Sequence, residues 1–452
     1  MRKTALIVML VLLLPVFTFA AGEGEQGGEG QAADPDSPIE IEMWIGLGGE
    51  LGEEIENIAA EFNEMYDEYE VDVVQQGDYA EAMTSAIAAY RAGDQPHILQ
   101  VYEVGTGTMM GNSEVIYPVY QLMEDYGRAF DTDDFLEQVT AYYSDPDGNM
   151  LSMPFNSSTP IFYYNREAFE DAGLDPDDPP ETWPEVEEYA QQLVDAGYRS
   201  GLTFQWPSWT NIETFSAWHD IPIGTRANGF EGWDSELLIN SEHHVAHMEA
   251  LADWADRGLF EYGGRGGEAG PLFNSGDVPM YIASSAAYAG IAANTDFEFS
   301  ASFLPYWPEI ADEPQNSIIG GGSLWVMDGH SDAEYEGVSA FFEYLSSPEV
   351  QAEWHQFSGY LPITNSAWEL TREQGFYDEV PIHNTAIEQI TLNEPTDNSR
   401  GLRFGNFVQV RDEILTAMEA IFAGDLSAQE GLDQAVERGN NLLREFERTV
   451  AE

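Results

Sequence analysis

The chain has 452 residues, no cysteine, 82 acidic residues against 16 basic ones, and a formal net charge of −66 at pH 7. Without cysteine it forms no disulfide and does no thiol chemistry, and so few cations exclude the clustered Lys and Arg on which nucleic-acid binding depends. At 43% hydrophobic and 13% aromatic residues it is not a disordered polyanion either, because that much apolar material builds a large packed core.

Arg2 and Lys3 precede an apolar stretch from Ala5 to Phe19, and Thr18-Phe19-Ala20 places small residues at the −3 and −1 positions of a cleavage site. This is the pattern of an export signal, and its apolar run is shorter than the ~20 residues of a membrane span. Residues 1–20 are therefore expected to be removed and the remainder to be a soluble periplasmic protein. With no cysteine there is no lipid tether. Residues 21–38, rich in Gly, Glu and Gln, read as a disordered acidic leader. Removal of 1–20 takes two basic residues, including Lys3, the sole lysine, and leaves 14 arginines and a net charge of −68. Such self-repulsion destabilises a compact state in dilute buffer, whereas at molar salt the Debye length falls to ~3 Å. A halophilic source is the expectation.

Ile39 to Trp44 alternates as a strand, and a helix follows with Leu51, Ile55, Ile58, Ala59, Phe62, Met65 and Tyr66 on one stripe. Glu70 to Val74 is a second strand, Tyr79 to Arg91 a second helix ended by Gly93, and His97 to Tyr102 a short buried strand. The order β-α-β-α-β predicts a parallel sheet with helices on its faces. Farther on, Ala252 to Arg257 reads as helix, Ser317 to Val326 passes through three glycines into a strand, and Val338 to Leu345 is helical, with several more helices in the C-terminal third. No sequence repeat is present, and the reading is two unequal α/β lobes.

The chain contains no GxSxG, HExxH, Walker phosphate loop or GxGxxG, and the glycine runs 46–52 and 105–111 have the wrong spacing for the last. The eight histidines show no metal-ligand spacing, with His243 and His244 read as surface residues. No cofactor or metal is expected, and the silence on catalysis favours a binder over an enzyme.

Trp354-His-Gln-Phe-Ser-Gly-Tyr360-Leu-Pro362-Ile-Thr364, preceded by Leu345-Ser-Ser-Pro348-Glu, resembles the C-terminal signature of extracellular solute-binding proteins of the maltose-binding class. More specific are Ile98-Leu-Gln-Val-Tyr102-Glu103-Val-Gly-Thr, Pro154-Phe-Asn-Ser-Ser158-Thr-Pro, Ile318-Ile-Gly-Gly321 and Leu370-Thr-Arg-Glu-Gln-Gly-Phe-Tyr377. Together they resemble the periplasmic sn-glycerol-3-phosphate-binding proteins that feed ABC importers, over residues 41–448. The resemblance implies a two-lobed periplasmic-binding-protein fold of type II, α/β, each lobe a sheet flanked by helices and the ligand held in the cleft between them. Residues 39–155 and 284–324 are assigned to an N-terminal lobe, and 156–283 and 325–452 to a C-terminal lobe. The implied partners are a small-molecule ligand, sn-glycerol 3-phosphate or a diester such as glycerophosphocholine, and the membrane permease subunits. Nucleic acid is not among them, and the protein is expected to be a monomer.

Carried over by motif, the implied ligand-binding residues are Tyr79, Glu103, Ser158, Trp206, Ser284, Gly321, Tyr360 and Arg411. Their chemistry is coherent. A phosphate takes an arginine fork, hydroxyl donors and backbone N–H groups, which Arg411, Ser284, Gly321 and the two tyrosines supply, with the N-terminus of a helix after Ser284 facing the anion. Ionised Glu103 accepts from a glycerol hydroxyl, Ser158 assists, and Trp206 covers carbon. Composition alone gives each a plainer reading: Arg411 pairs with one of many carboxylates, the aromatics are core or half-buried, and the glycines form a turn. Two departures from the family stand out, Ile45-Gly46-Leu47-Gly48 after Trp44 and Ala286-Ala287 after the serine pair. Arg411→Ala is expected to abolish ligand binding with thermal stability unchanged. The rival functions are an oligosaccharide binder and, more remotely, a secreted glycerophosphodiester hydrolase.

Overall fold

The computed structural model describes residues 37–451. The export signal at 1–20 and almost all of the leader lie outside the described residues. Ten strands are named in chain order: β1 (Ile39–Ile45), β2 (Tyr69–Gln75), β3 (Ile98–Tyr102), β4 (Ile116–Tyr117), β5 (Met153–Ser158), β6 (Pro160–Asn165), β7 (Leu202–Phe204), β8 (Met280–Ser284), β9 (Phe299–Ser302) and β10 (Gly320–Met327). They form two sheets. In the first, of order β2-β1-β3-β10-β4, β1 is parallel to β2 and β3, as the β-α-β-α-β reading predicts. There β10 runs antiparallel to β3, β4 and β5. The second has the order β7-β8-β6-β9.

Alternation in β1 turns Ile41, Met43 and Ile45 into the core. Helix Gly49–Met65 covers that face with Ile55, Ile58, Ala59 and Phe62, the stripe read from the sequence. Met65, expected on the same stripe, is 58% exposed; the helix ends there, and Tyr66 takes its place by stacking on Phe62 at 4.6 Å. Helix Tyr79–Ala92 starts with an Asp78/Glu81 capping box and stops at left-handed Gly93.

The chain crosses between the sheets at the β5–β6 junction, on its return to β10, and again between helix Pro348–Ser358, packed on the first sheet, and helix Ile382–Ile390, packed on β6 and β9. β5 and β6 are separated by Thr159 alone, so the chain leaves one sheet and enters the other almost without a bend. The return path through 303–319 meets it: the Thr159 hydroxyl donates to the Ile318 carbonyl at 3.0 Å and shares a 2.6 Å hydrogen bond with Ser317. Sheet membership corrects the expected lobe boundaries. β9, assigned to 284–324 with the first lobe, pairs with β6 in the second sheet. Helices Asp332–Leu345 and Pro348–Ser358, assigned to the second lobe, bury Val338, Phe341, Phe342 and Trp354 with Ile41 and Met43 of the first. The reason is β10: it lies inside the first sheet, and the short connection after Met327 leaves the next helix no face to cover but that sheet's own.

Helix Glu242–Asp256 begins ten residues before the expected start at Ala252, and its His244 is fully buried, a correction to the surface reading. A histidine there is core because Ser216 and Ser241 hydroxyls meet its two nitrogens at 2.8 and 2.7 Å. Helices Phe407–Phe422 and Ala428–Val450 pack on each other and on Glu242–Asp256. No helix among the described residues is long and apolar enough to cross a membrane.

Burial pushes several histidines down: His219 and His355 to about 4, His244 and His383 to about 3, and His247 well below its ordinary value. A base depressed in the fold contributes stability that is present above its unfolded value near 6.5 and lost as pH falls through the folded one. The window between pH 7.5 and 5.5 brackets that unfolded histidine value. Each buried histidine then costs about 1.4 kcal/mol per pH unit below ~6.5. Melting followed in molar KCl should show Tm falling between pH 7.5 and 5.5; a Tm that stays level or rises refutes the neutral histidine core.

Candidate functional site

Between the two sheets lies a cleft of about 200 Å³. All eight residues singled out from the sequence line it, together with Gly46, Leu47, Gly48, Asp78, Tyr102, Gln205, Trp209, Gly267, Ala286 and Ala287.

Its floor is set by a buried polar chain. The Gly46 N–H donates to Gln100 Oε1 at 2.9 Å, Gln100 Nε2 to Asn156 Oδ1 at 3.0 Å, and Asn156 Nδ2 to the Tyr79 hydroxyl at 2.8 Å. Having accepted from Asn156, Tyr79 turns its own proton outward, toward Tyr360 or a guest. Its ring lies flat on Tyr102, centroids 5.2 Å apart at 2°, and Tyr360 stacks on Trp354 at 5.5 Å. Burial raises both the Tyr79 and Tyr360 hydroxyls above their ordinary range, so both remain neutral donors. The departure after Trp44 has a steric reason: a Cβ on Gly46 would lie 2.7 Å from the Tyr79 Cα and N. Gly321 is equally constrained. Its φ is +81°, and a Cβ there would sit 1.8 Å from the Asn156 carbonyl oxygen. It lies within β10 opposite Ser157, so the glycines are strand with a bulge rather than a turn before one.

Ser158 ends β5 and Ser284 ends β8, where it pairs with Pro160 two residues beyond Ser158. The Ser284 N–H donates to Gln205 Oε1 at 3.0 Å, and its hydroxyl accepts from the Ala286 N–H at 3.2 Å. The helix expected directly after Ser284 runs from Ala287 to Asn294, and Ala286 and Ala287 line the wall without a hydroxyl. Trp206 has φ +49°, and its N–H is fixed to the Gly266 carbonyl at 3.0 Å.

Arg411, on helix Phe407–Phe422, is 5% exposed. Its Nε donates to Glu213 Oε1 at 2.9 Å, and its Nη2 to Glu213 Oε2 and Glu103 Oε1, both at 2.6 Å. Burial alone would lower its pKa; Glu213 and Glu103 overcome that and raise it. Burial raises the Glu103 carboxyl, with Arg411 opposing. The plain expectation of a carboxylate partner and the assignment to the cleft are thus both met by one side chain. Two details differ from the sequence reading. The guanidinium edge through Nε is occupied, so the fork is not open to a phosphate and Nη1 is the nitrogen left for a guest. Glu103 spends one oxygen on Arg411 rather than standing free for a hydroxyl. Sequence reasoning missed Glu213, which is 0% exposed on the π-helical turn Trp209–Glu213. The one signal was a carboxylate spaced among the large apolar residues Trp209, Ile212 and Phe215. Gln205 and Trp209 were missed as well.

His97, His330 and Glu334 place potential metal-ligating atoms within 4.8 Å of one another, outside the cleft lining. His97 Nδ1, however, accepts the Glu42 N–H at 2.9 Å. The neutral ring then carries its proton on Nε2, facing Glu334 at 3.5 Å as a donor, and has no lone pair there for a metal.

A cleft between two α/β lobes, lined from both sheets, is an architecture suited to holding a small ligand. Residues 57–374 match the bacterial extracellular solute-binding protein family, and the chain belongs to it. Among its relatives is the sn-glycerol-3-phosphate-binding periplasmic protein UgpB of Pectobacterium atrosepticum, 43% identical over 420 residues, covering 93% of this chain and 94% of the relative. The Escherichia coli K12 protein of the same name is 44% identical over 411 residues, 91% and 94% of the two chains. Of solved structures, UgpB from Mycobacterium tuberculosis in complex with glycerophosphocholine superposes with TM-score 0.73 at 22% identity, covering 90% and 98%. Maltose-bound T. maritima MalE3 gives 0.74 at 16%, covering 89% and 100%. At those identities the two establish the two-lobed fold.

The triad overturns one expectation. Arg411→Ala strands two buried carboxylates, and loss of one partner of a buried ion pair costs about 3–5 kcal/mol. Denaturant unfolding should show that loss, and adding Glu103→Gln and Glu213→Gln should recover part of it. Stability equal to wild type in Arg411→Ala would contradict the pairing.

Proposed function

We propose that the chain captures sn-glycerol 3-phosphate, or a glycerophosphodiester such as glycerophosphocholine, in the periplasm and delivers it to the permease subunits of an ABC importer. The observation that carries this reading is a buried arginine in a cleft whose lining also brings hydroxyls, glycine backbone and aromatic rings within reach of a ligand. Relatives at 43–44% identity named for sn-glycerol 3-phosphate support it. In this reading Arg411 Nη1, the Ser284 hydroxyl and the Tyr79 and Tyr360 protons receive phosphate oxygens, while backbone N–H groups around Gly321 complete the shell. Glu103 and Ser158 take the glycerol hydroxyls, and Trp206 covers the carbon chain. Closure hinges on Thr159 and the 303–319 segment, and the closed pair of lobes is what the permease reads. The protein acts without turnover or cofactor, exported by residues 1–20 and folded in high salt, where a charge of −68 is screened.

A sugar is the second reading, favoured by the aromatic walls Trp206, Trp209 and Tyr102. A thermal-shift screen in molar salt separates the two, since a ligand bound by the native state alone adds ~2.7 kcal/mol at a hundred times its Kd. Glycerol 3-phosphate and glycerophosphocholine should raise Tm; maltose and inorganic phosphate should not. Arg411→Lys, which keeps the charge but not the planar guanidinium, should lose the phosphate response. A rise with maltose and none with either phosphoglycerol would refute the assignment.

A further inference from the structure

We infer that Glu213 is a positioning residue that sets the charge class of the ligand, so that the cleft takes a singly charged phosphate, a diester or a half-protonated monoester, in preference to a dianion. The inference rests on the phosphoglycerol reading above and deepens it.

The reasoning begins with formal charge. Arg411 is the one basic residue among those lining the cleft, and its charge is shared by Glu103 and Glu213 through three hydrogen bonds. Taken as ionised, the triad is one unit negative before any ligand enters. Asp78 at the cleft wall adds another carboxylate. The other titratable groups around Arg411 do not redress this. Tyr102 on β3, Tyr79 on its helix and Tyr142 below are held neutral by burial, each raised from its ordinary value. Asp412, the next residue on the same helix, has Arg265 nearby, but Arg265 is bound bidentately by Glu419. Among the described residues, therefore, no second cation faces a guest from an element lining the cleft.

Glu213 holds this arrangement rigidly. It is fully buried, its Oε1 also accepts from the Ser208 hydroxyl at 2.9 Å, and its two oxygens take the Nε and Nη2 edge of Arg411. A phosphate that approaches Nη1 meets one partly compensated positive charge with two fixed carboxylates behind it. Buried as they are, these three charges are screened far less than the surface ones, whatever the salt outside. One negative charge on the ligand is met by Arg411; a second has no partner and faces Glu103 and Glu213. A monoester phosphate loses its second proton near pH 6, whereas a diester has no second proton to lose.

The test is titration calorimetry in molar KCl with glycerol 3-phosphate and glycerophosphocholine, from pH 5.5 to 8, on the wild type and on Glu213→Gln. The quantity read is the ratio of the two affinities, because any titration of the protein common to both ligands cancels in it. For the wild type, the monoester should weaken relative to the diester by about tenfold across the range, which is ~1.4 kcal/mol. Glu213→Gln keeps a carbonyl acceptor for Arg411 and removes one charge, and should bring that ratio back toward the monoester by a similar factor at pH 8. A wild-type ratio independent of pH overturns the inference while leaving the phosphoglycerol reading intact. So does a Glu213→Gln variant that weakens both ligands equally at every pH, which is what a purely structural role predicts. If neither phosphate binds the wild type, both readings fall together. If the variant does not fold, a wild-type ratio independent of pH still overturns the inference.

Discussion

The structure turns on a guanidinium buried between two carboxylates. A charge taken out of water is tolerated only when paired and hydrogen-bonded, and Arg411 meets that condition with partners 198 and 308 residues away in sequence. Glu103 follows the C-terminal end of β3, Glu213 ends a π-helical turn, and Arg411 sits in the first turns of helix Phe407–Phe422. Bringing the three together requires that helix to reach across from the second lobe to the edge of the first sheet. The same geometry makes the cleft polar at its floor and aromatic at its walls.

Around this centre the protein separates two electrostatic regimes. Outside, every acidic residue among the described ones other than Glu103 and Glu213 is at least partly exposed, and salt softens their mutual repulsion over a few ångströms. Inside, the triad and the chain Gly46, Gln100, Asn156 and Tyr79 are fixed by hydrogen bonds that salt does not reach. An acidic protein can therefore receive an anion, provided the decisive cation is held at contact distance.

Much of this was legible in the residues because the signals were local or came in order. The stripe Ile55, Ile58, Ala59 and Phe62 reports helical period directly, and β1 to β3 follow from alternation and length. The cleft residues were readable as motifs of the resemblance, and two glycines at the cleft carry a local steric reason: Gly321 cannot bear a Cβ beside Asn156, and Gly46 cannot beside Tyr79. What escaped was long-range. Glu213 is one carboxylate among 82, and only the fold distinguishes a buried ion-pair partner from a solvated surface charge. The placement of β9 and of helix Asp332–Leu345 depends on which sheet β10 enters, which no local pattern encodes. His244 looked like surface because a buried neutral histidine is recognisable only by the serines that satisfy it.

The central claim is that Arg411, still clasped by Glu213, meets the phosphate through its remaining nitrogen. A crystal structure of the protein with glycerol 3-phosphate bound in high salt tests this most directly. The account predicts a phosphate oxygen within hydrogen-bonding distance of Arg411 Nη1, with Nε and Nη2 still on Glu213. A phosphate seated elsewhere in the cleft, or an Arg411 that has left Glu213 to present its whole fork, would contradict it.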